Sequence, residues 1–202
     1  MFIGEWNKSV ILTYIGMSFA VIGIFMAFSG NVPEAYATLI VAGVCDLFDG
    51  AVARRCKRNE KQKLFGIQLD SLVDVLSFLA LPIAICISIG MNKWYHMVIM
   101  VVFCICGIAR LAYFNVTSEG GDEPVSHYRG LPVTYTALIM PVVYLLHMVI
   151  PKEGFMIGYA VVMLIVAMLN VLDIKVVKPR GIAYVCFGIM AIVMLILYLV
   201  VL

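Results

Sequence analysis

The sequence predicts an all-α fold, a polytopic transmembrane helical bundle of about seven spans within a range of six to eight. Hydrophobic residues make up 64% of the 202 residues, whereas a soluble domain is about half apolar. They come in runs of about twenty residues, the length that crosses a bilayer as a helix. We therefore expect one integral-membrane domain, residues 1–202. The first run lacks a small-residue cleavage site, so we expect a retained helix there.

Glycine, proline and polar residues divide the apolar runs into seven predicted helices. The stretch Ser29-Gly30-Asn31-Val32-Pro33 ends the first run, and proline suits the first turn of the next helix. The polar stretch 55–63 separates the second helix from the third, and residues 117–130 form the longest polar connection. The predicted helices are 9–28, 33–54, 64–89, 94–115, 131–150, 155–172 and 181–202.

The basic residues lie mostly on one side of this arrangement. The opposite loops carry only Lys93 and Lys152. By the positive-inside rule the basic side is cytoplasmic, which places the junction of helices 2 and 3 at the cytoplasmic face. The eleven residues on the basic side are Lys8, Arg54, Arg55, Lys57, Arg58, Lys61, Lys63, Arg129, Lys175, Lys178 and Arg180.

Four aspartates stand in these apolar helices as two spaced pairs, Asp46 with Asp49 and Asp70 with Asp74. An ionised carboxylate in hydrocarbon costs several kcal/mol, so four of them need a compensating positive charge. Each pair has i, i+3 or i, i+4 spacing and shares one helix face, and a short loop makes the two helices antiparallel neighbours. Oxygen ligands at this density favour Mg²⁺ or Mn²⁺ over zinc.

Small residues accompany the carboxylates. Gly50 and Ala53 continue the first aspartate stripe, and Gly66 lies one turn before the second pair. A ligand can lie against bare backbone there, and a metal site beside Arg54 is equipped to hold a diphosphate. The alternative is a set of interhelical salt bridges to nearby arginines, which accounts for one or two aspartates but not for four with glycines between them.

The stretch DLFDGAVAR, followed by a glycine and two aspartates, resembles the signature of the CDP-alcohol phosphotransferase family, D-x-x-D-G-x-x-A-R…G-x-x-x-D-x-x-x-D. The intervening stretch, Arg55 to Phe65, is longer than is common in the family. We expect the added residues to lengthen the basic loop and leave the helices intact. The matching positions are Asp46, Asp49, Gly50, Ala53, Arg54, Gly66, Asp70 and Asp74.

This resemblance implies that the four aspartates bind a pair of divalent metals, Mg²⁺ or Mn²⁺. It implies that Asp74 is also the general base that takes the proton from the acceptor hydroxyl. An alcohol would attack the lipid-bearing phosphorus of a CDP-lipid, and CMP would leave. The family also tends to form homodimers. The residues that the resemblance assigns to the CDP-lipid are Asp49, Gly50, Ala53, Arg54 and Gly66.

The stretch FGIQLDSLVDVLSF, which surrounds the second aspartate pair, resembles the phosphatidylserine synthase branch of the family, and so do two further stretches, ARLAYFN and YRGLP. Tyr113 replaces the second arginine of the R-L-A-R-F-N pattern. The branch implies L-serine as the acceptor, with Arg110 and Arg129 as candidate contacts. Arg110 would pair with the serine carboxylate or, alternatively, with an aspartate. Arg129 would bind a phosphate or, alternatively, anchor the fifth helix at the membrane interface.

The leading hypothesis is therefore a membrane enzyme that makes phosphatidylserine from CDP-diacylglycerol and L-serine on the cytoplasmic side of the bilayer. One alternative keeps this chemistry with glycerol phosphate or inositol phosphate as acceptor. A rival of a different class is a divalent-cation transporter, which predicts carboxylates near the bilayer midplane with access from both sides. The net charge of +2 is too small to indicate nucleic-acid binding.

Overall fold

The computed structural model describes residues 3–118, 127–177 and 181–202. With their short 3-10 and π-helical extensions, the described residues form six helices long and apolar enough to cross a membrane, and one shorter apolar helix, Val133–Met148. The predicted polytopic all-α bundle is confirmed. The helices are α1 Ile11–Phe28, α2 Val32–Arg55, α3 Glu60–Asp74, α4 Leu81–Ser88, α5 Trp94–Ser118, α6 Thr136–Tyr144, α7 Lys152–Val171 and α8 Ile182–Ile196. Helices α3 and α4 are two parts of one span, Glu60–Ser88, joined by the π-helical segment Val75–Ala80.

Helices α1 and α2 pack closely because α1 presents small residues to its neighbour. A β-carbon on Gly16 would lie 3.1 Å from Cβ of Cys45, and one on Gly23 would collide with the Thr38 hydroxyl. Such small residues let helix backbones approach closely in a membrane protein. The contacts run antiparallel, so the start of α1 meets the aspartate-bearing end of α2. The small residues buried on α1 are Gly16, Ala20, Gly23 and Ala27.

Helix α3 begins at Glu60, one turn earlier than predicted. Asn59 caps it: the Asn59 side chain accepts a 2.8 Å hydrogen bond from the Gln62 amide, and the Gln62 side chain accepts one of 3.2 Å from the Asn59 amide. The expectation that the added residues lengthen the loop is therefore wrong, because part of the stretch forms this extra turn. On that turn, Nζ of Lys61 lies 3.0 Å from Oε1 of Glu5, and its hydrogen bond lowers the pKa of the Glu5 carboxyl.

The predicted helix 131–150 is shorter and less regular than expected. It consists of a 3-10 turn, Val133–Tyr135, then α6, then a second 3-10 turn, Leu145–Met148. Pro141 lies inside α6, where it has no N–H for the helical ladder. The Tyr198 hydroxyl donates a 2.6 Å hydrogen bond to the Pro141 carbonyl and so ties the C-terminal span to this helix.

Two strands stand where the sequence predicted only loops. Strand β1, His127–Arg129, pairs antiparallel with β2, Lys175–Val177, and Arg129 faces Lys175. The following residues continue the contact: the amide of Gly130 donates to the Ile174 carbonyl and that of Leu131 to the Leu169 carbonyl, both at 2.9 Å. This ribbon fixes the entry to α6 against the end of α7. Lys178 and Arg180, which the charge count included, lie outside the described residues.

Candidate active site

The aspartates of α2 and α3 converge at one place. Asp46, Asp49 and Asp70 each offer an oxygen, and these atoms lie within 4.8 Å of one another. Asp74, one turn beyond Asp70, is only 7% exposed, and its carboxyl lies next to that of Asp46. Ligand oxygens around one Mg²⁺, each at about 2.1 Å, are at most about 4.2 Å apart. The donor set is all hard oxygen and nearly at ligand spacing, so it could hold a divalent cation after small side-chain adjustments.

A cavity of about 270 Å³ opens in front of this carboxylate cluster, which comprises Asp46, Asp49, Asp70 and Asp74. At one end the aspartates meet Gly50, Arg54 and Arg110. The other end runs between α2, α6 and α8 and is apolar. A charged end joined to an apolar wall suits an amphipathic ligand with an anionic head. The apolar wall includes Val44, Leu138, Pro141, Phe187, Met190 and Met194.

Arg110 brings a positive charge to the cluster from α5. It is 8% exposed, and the charges of Asp46, Asp70 and Asp74 act on it within the protein. Its guanidinium lies 5.3 Å from the ring centre of Phe114, which is a cation–π distance. The structure thus places Arg110 beside the aspartates and on the wall of the same cavity, where either of its two predicted pairings is geometrically reasonable.

The residues predicted for the CDP-lipid fall into two groups. Asp49, Gly50 and Arg54 line the cavity, and a β-carbon on Gly50 would lie 3.4 Å from Nη1 of Arg54. Ala53 and Gly66 are half-buried and stand outside the cavity lining among the described residues. Gly66 lies next to Arg58: a β-carbon on Gly66 would be 3.8 Å from Nη1 of Arg58.

The structure places Arg129 on the β1–β2 ribbon. It is exposed on strand β1, where Nη1 donates a 3.4 Å hydrogen bond to the Tyr113 hydroxyl and Nε lies 3.9 Å from Oδ1 of Asp173. Arg129 is not among the described residues that line the cavity. Its neighbour in this contact, Tyr113, is the residue that departs from the resembled pattern.

Two threonines that the sequence analysis did not single out lie close to the aspartates. Thr13 of α1 donates a 2.9 Å hydrogen bond to Oδ2 of Asp49. Thr134, just before α6, lines the cavity with its hydroxyl close to Asp46. The only sequence signal is a hydroxyl in an apolar segment, which is common and uninformative by itself because such a hydroxyl can bond to its own helix.

A helical membrane bundle with four carboxylates at the junction of two helices agrees with what the signature motif implies. Residues 6–172 match the family described as CDP-alcohol phosphatidyltransferase. The match covers most of the chain, and the protein belongs to this family.

Individual relatives of this chain have names more specific than that of the family. A CDP-diacylglycerol–serine O-phosphatidyltransferase of Saccharomyces cerevisiae is 38% identical over 112 residues, 52% of this chain and 40% of that protein. An archaetidylserine synthase of Methanothermobacter thermautotrophicus is 29% identical over 136 residues, 67% of this chain and 56% of that protein. A CDP-diacylglycerol–serine O-phosphatidyltransferase of Helicobacter pylori is 33% identical over 135 residues, 66% and 53% respectively. The chain spans about half the length of these relatives.

Proposed function

We propose that this protein transfers the phosphatidyl group of CDP-diacylglycerol to the hydroxyl of L-serine, giving phosphatidylserine and CMP. The observation that carries the proposal is the cavity that joins four carboxylates and two arginines to an apolar wall. Family membership supports the reaction class. Relatives named CDP-diacylglycerol–serine O-phosphatidyltransferase support serine as the acceptor.

In this proposal Asp46, Asp49, Asp70 and Asp74 hold Mg²⁺ or Mn²⁺, with two ions per site. Bound cations would neutralise the diphosphate and stabilise the departing CMP. Asp74 accepts the proton of the serine hydroxyl, whose oxygen forms a bond to the lipid-bearing phosphorus. The bond from that phosphorus to the bridging oxygen breaks, and CMP leaves with the electron pair. Asp74 suits this role because it is buried at the cavity wall next to the other carboxylates.

Substrate binding divides along the cavity. The lipid tails lie against the apolar wall of α2, α6 and α8, and the cytidine diphosphate lies over Gly50 with Arg54 on a phosphate. Ala53 and Gly66 belong to the same proposed nucleotide site, since Ala53 follows Gly50 by one helical turn and Gly66 stands one turn before Asp70. The serine carboxylate pairs with Arg110, and Arg129 is the second acceptor contact in the proposal.

The proposed enzyme is embedded in the membrane with its carboxylate cluster on the cytoplasmic side. The multiple apolar helices indicate an integral membrane protein. We place the carboxylate cluster on the cytoplasmic side because most of the basic residues lie on the same side of the bundle as the cluster. A single domain over residues 1–202 and a homodimer complete the proposal.

The transporter alternative is disfavoured by the family match over residues 6–172. The position of the aspartates does not decide the matter, because Asp49 lies within the last two turns of α2 whereas Asp74 lies at the middle of the span Glu60–Ser88. The test is incorporation of labelled L-serine into organic-soluble phospholipid by the purified protein with CDP-diacylglycerol and Mn²⁺. Labelled phosphatidylserine is expected. Cation flux in liposomes without any lipid product would overturn the proposal in favour of a transporter.

A further inference from the structure

Thr13 is the residue through which α1 reaches the carboxylate cluster. Its Oγ1 donates a 2.9 Å hydrogen bond to Oδ2 of Asp49, and both side chains are 8% exposed. Thr38, at the other end of the same helix pair, instead donates at 2.8 Å to the carbonyl of Ala35 on its own helix. A threonine in an apolar helix commonly satisfies itself as Thr38 does. The Thr13 hydroxyl therefore donates to Asp49 on another helix, although a backbone carbonyl of its own helix is the usual partner.

The contact comes from a side of the cluster that the large cavity does not reach. Thr13 is absent from the described lining of that cavity. It lines instead a second, small cavity of about 10 Å³, together with Gly16 of α1 and all four aspartates. The close approach of α1 to α2 at Gly16, 3.1 Å from Cβ of Cys45 to an added β-carbon, sets this geometry. Helix α1 thus forms a rear wall of the carboxylate site.

We propose that Thr13 is a positioning residue, which orients the Asp49 carboxylate and thereby raises the affinity of the site for a divalent cation. The inference rests on the proposed function, which assigns the cation to these aspartates. The hydrogen bond occupies one lone pair of Oδ2 and restrains rotation of the carboxylate, and a carboxylate has further lone pairs with which it can bind a cation. Partners of this kind commonly change metal affinity by about 10- to 100-fold when they are removed.

The test is a Mn²⁺ titration of the thermal unfolding temperature of the full chain in detergent, a measurement that needs no substrate. Thr13→Val and Thr13→Ala remove the hydroxyl, Thr13→Ser retains it, and Thr38→Val removes a hydroxyl from the same helix pair far from Asp49. For the two variants without the Thr13 hydroxyl, we expect the Mn²⁺ concentration that gives half-maximal stabilisation to rise by at least about tenfold. Thr13→Ser and Thr38→Val should titrate like the wild type.

The outcomes separate the two claims. If the wild type is stabilised by Mn²⁺ and Thr13→Val and Thr13→Ala respond at the same concentration, the role of Thr13 is overturned and the cation site stands. The role is also overturned if Thr13→Ser or Thr38→Val shifts as far as Thr13→Val, because the effect is then general helix packing. If Mn²⁺ does not stabilise even the wild type, the proposed cation site fails and the inference fails with it.

Discussion

The backbone of Gly130 lies directly against the carbonyl oxygen of Asn170, so close that no β-carbon fits between them. Gly130 has φ of +72°, a conformation that side-chain-bearing residues rarely adopt. The contact joins the end of the β1–β2 ribbon to α7 and sets the start of the segment Pro132–Tyr135. That segment supplies part of the cavity wall, so the geometry of the site depends on this glycine.

Gly130→Ala is therefore expected to destabilise the protein, because alanine adds both a steric collision and an unfavourable φ. A strained conformation of this kind costs about 1–3 kcal/mol. The thermal unfolding temperature in detergent measures the effect. Gly158→Ala is the matched control, since a β-carbon at that position in α7 meets no atom within 4 Å. It should be neutral or slightly stabilising. Equal unfolding temperatures for the two variants would contradict this account of the ribbon.

Asp74→Asn is expected to lower CMP release by at least about 100-fold, because the amide cannot accept the proton of the acceptor hydroxyl. Steady-state CMP release measures the loss, and the unfolding temperature checks that the variant is folded. Glu153→Gln makes the same chemical change at an exposed position at the start of α7 and should retain activity. A folded Asp74→Asn variant with normal turnover would refute the general-base role.

Arg110→Gln distinguishes the two roles considered for this arginine. If Arg110 pairs with the serine carboxylate, the variant should raise the KM for serine by about tenfold or more, the cost of one charge-assisted bond. Turnover with ethanolamine, which is serine without its carboxylate, should be changed much less. Should both acceptors lose activity equally, Arg110 would instead serve the aspartates, whose charges act on it in the structure.

Ala191→Phe probes the apolar end of the cavity, where Ala191 is a half-buried lining residue of α8. A phenyl ring there fills space assigned to the lipid tails. We expect a higher KM for long-chain CDP-diacylglycerol and a smaller change for a short-chain analogue. Ile189→Phe enlarges an exposed residue of the same helix and is the control. Equal effects on long and short chains would argue against tails at this wall.

The carboxylate cluster was predictable because aspartates in apolar helices are costly and their spacing places each pair on one helix face. That argument anticipates the convergence of Asp46, Asp49 and Asp70 without any knowledge of distant contacts. The chemical roles of these residues, and the contacts of Arg129 with substrate, stay predictions. The position of Arg129 on the ribbon, bonded to Tyr113, does not follow from the sequence because the ribbon joins segments far apart in the chain.

The start of α3 was missed although a local signal is present. Asn59 followed by Gln62 is the spacing of a capping box, and both reciprocal hydrogen bonds form. The charged residues around this pair instead favoured a loop. Thr13 carries no comparable signal, because its contact with Asp49 depends on how closely α1 packs against α2. Tertiary packing, rather than a local sequence pattern, therefore determines the contact of Thr13 with Asp49.

The central claim is tested most directly by CMP release from purified protein supplied with CDP-diacylglycerol and Mn²⁺ or Mg²⁺. Serine, glycerol 3-phosphate and inositol phosphate are given in separate reactions, with Asp74→Asn as the inactive control. The account predicts CMP release with serine alone and its loss in the variant. Release with another acceptor would contradict the serine assignment, and no release with any acceptor would contradict the proposed enzyme.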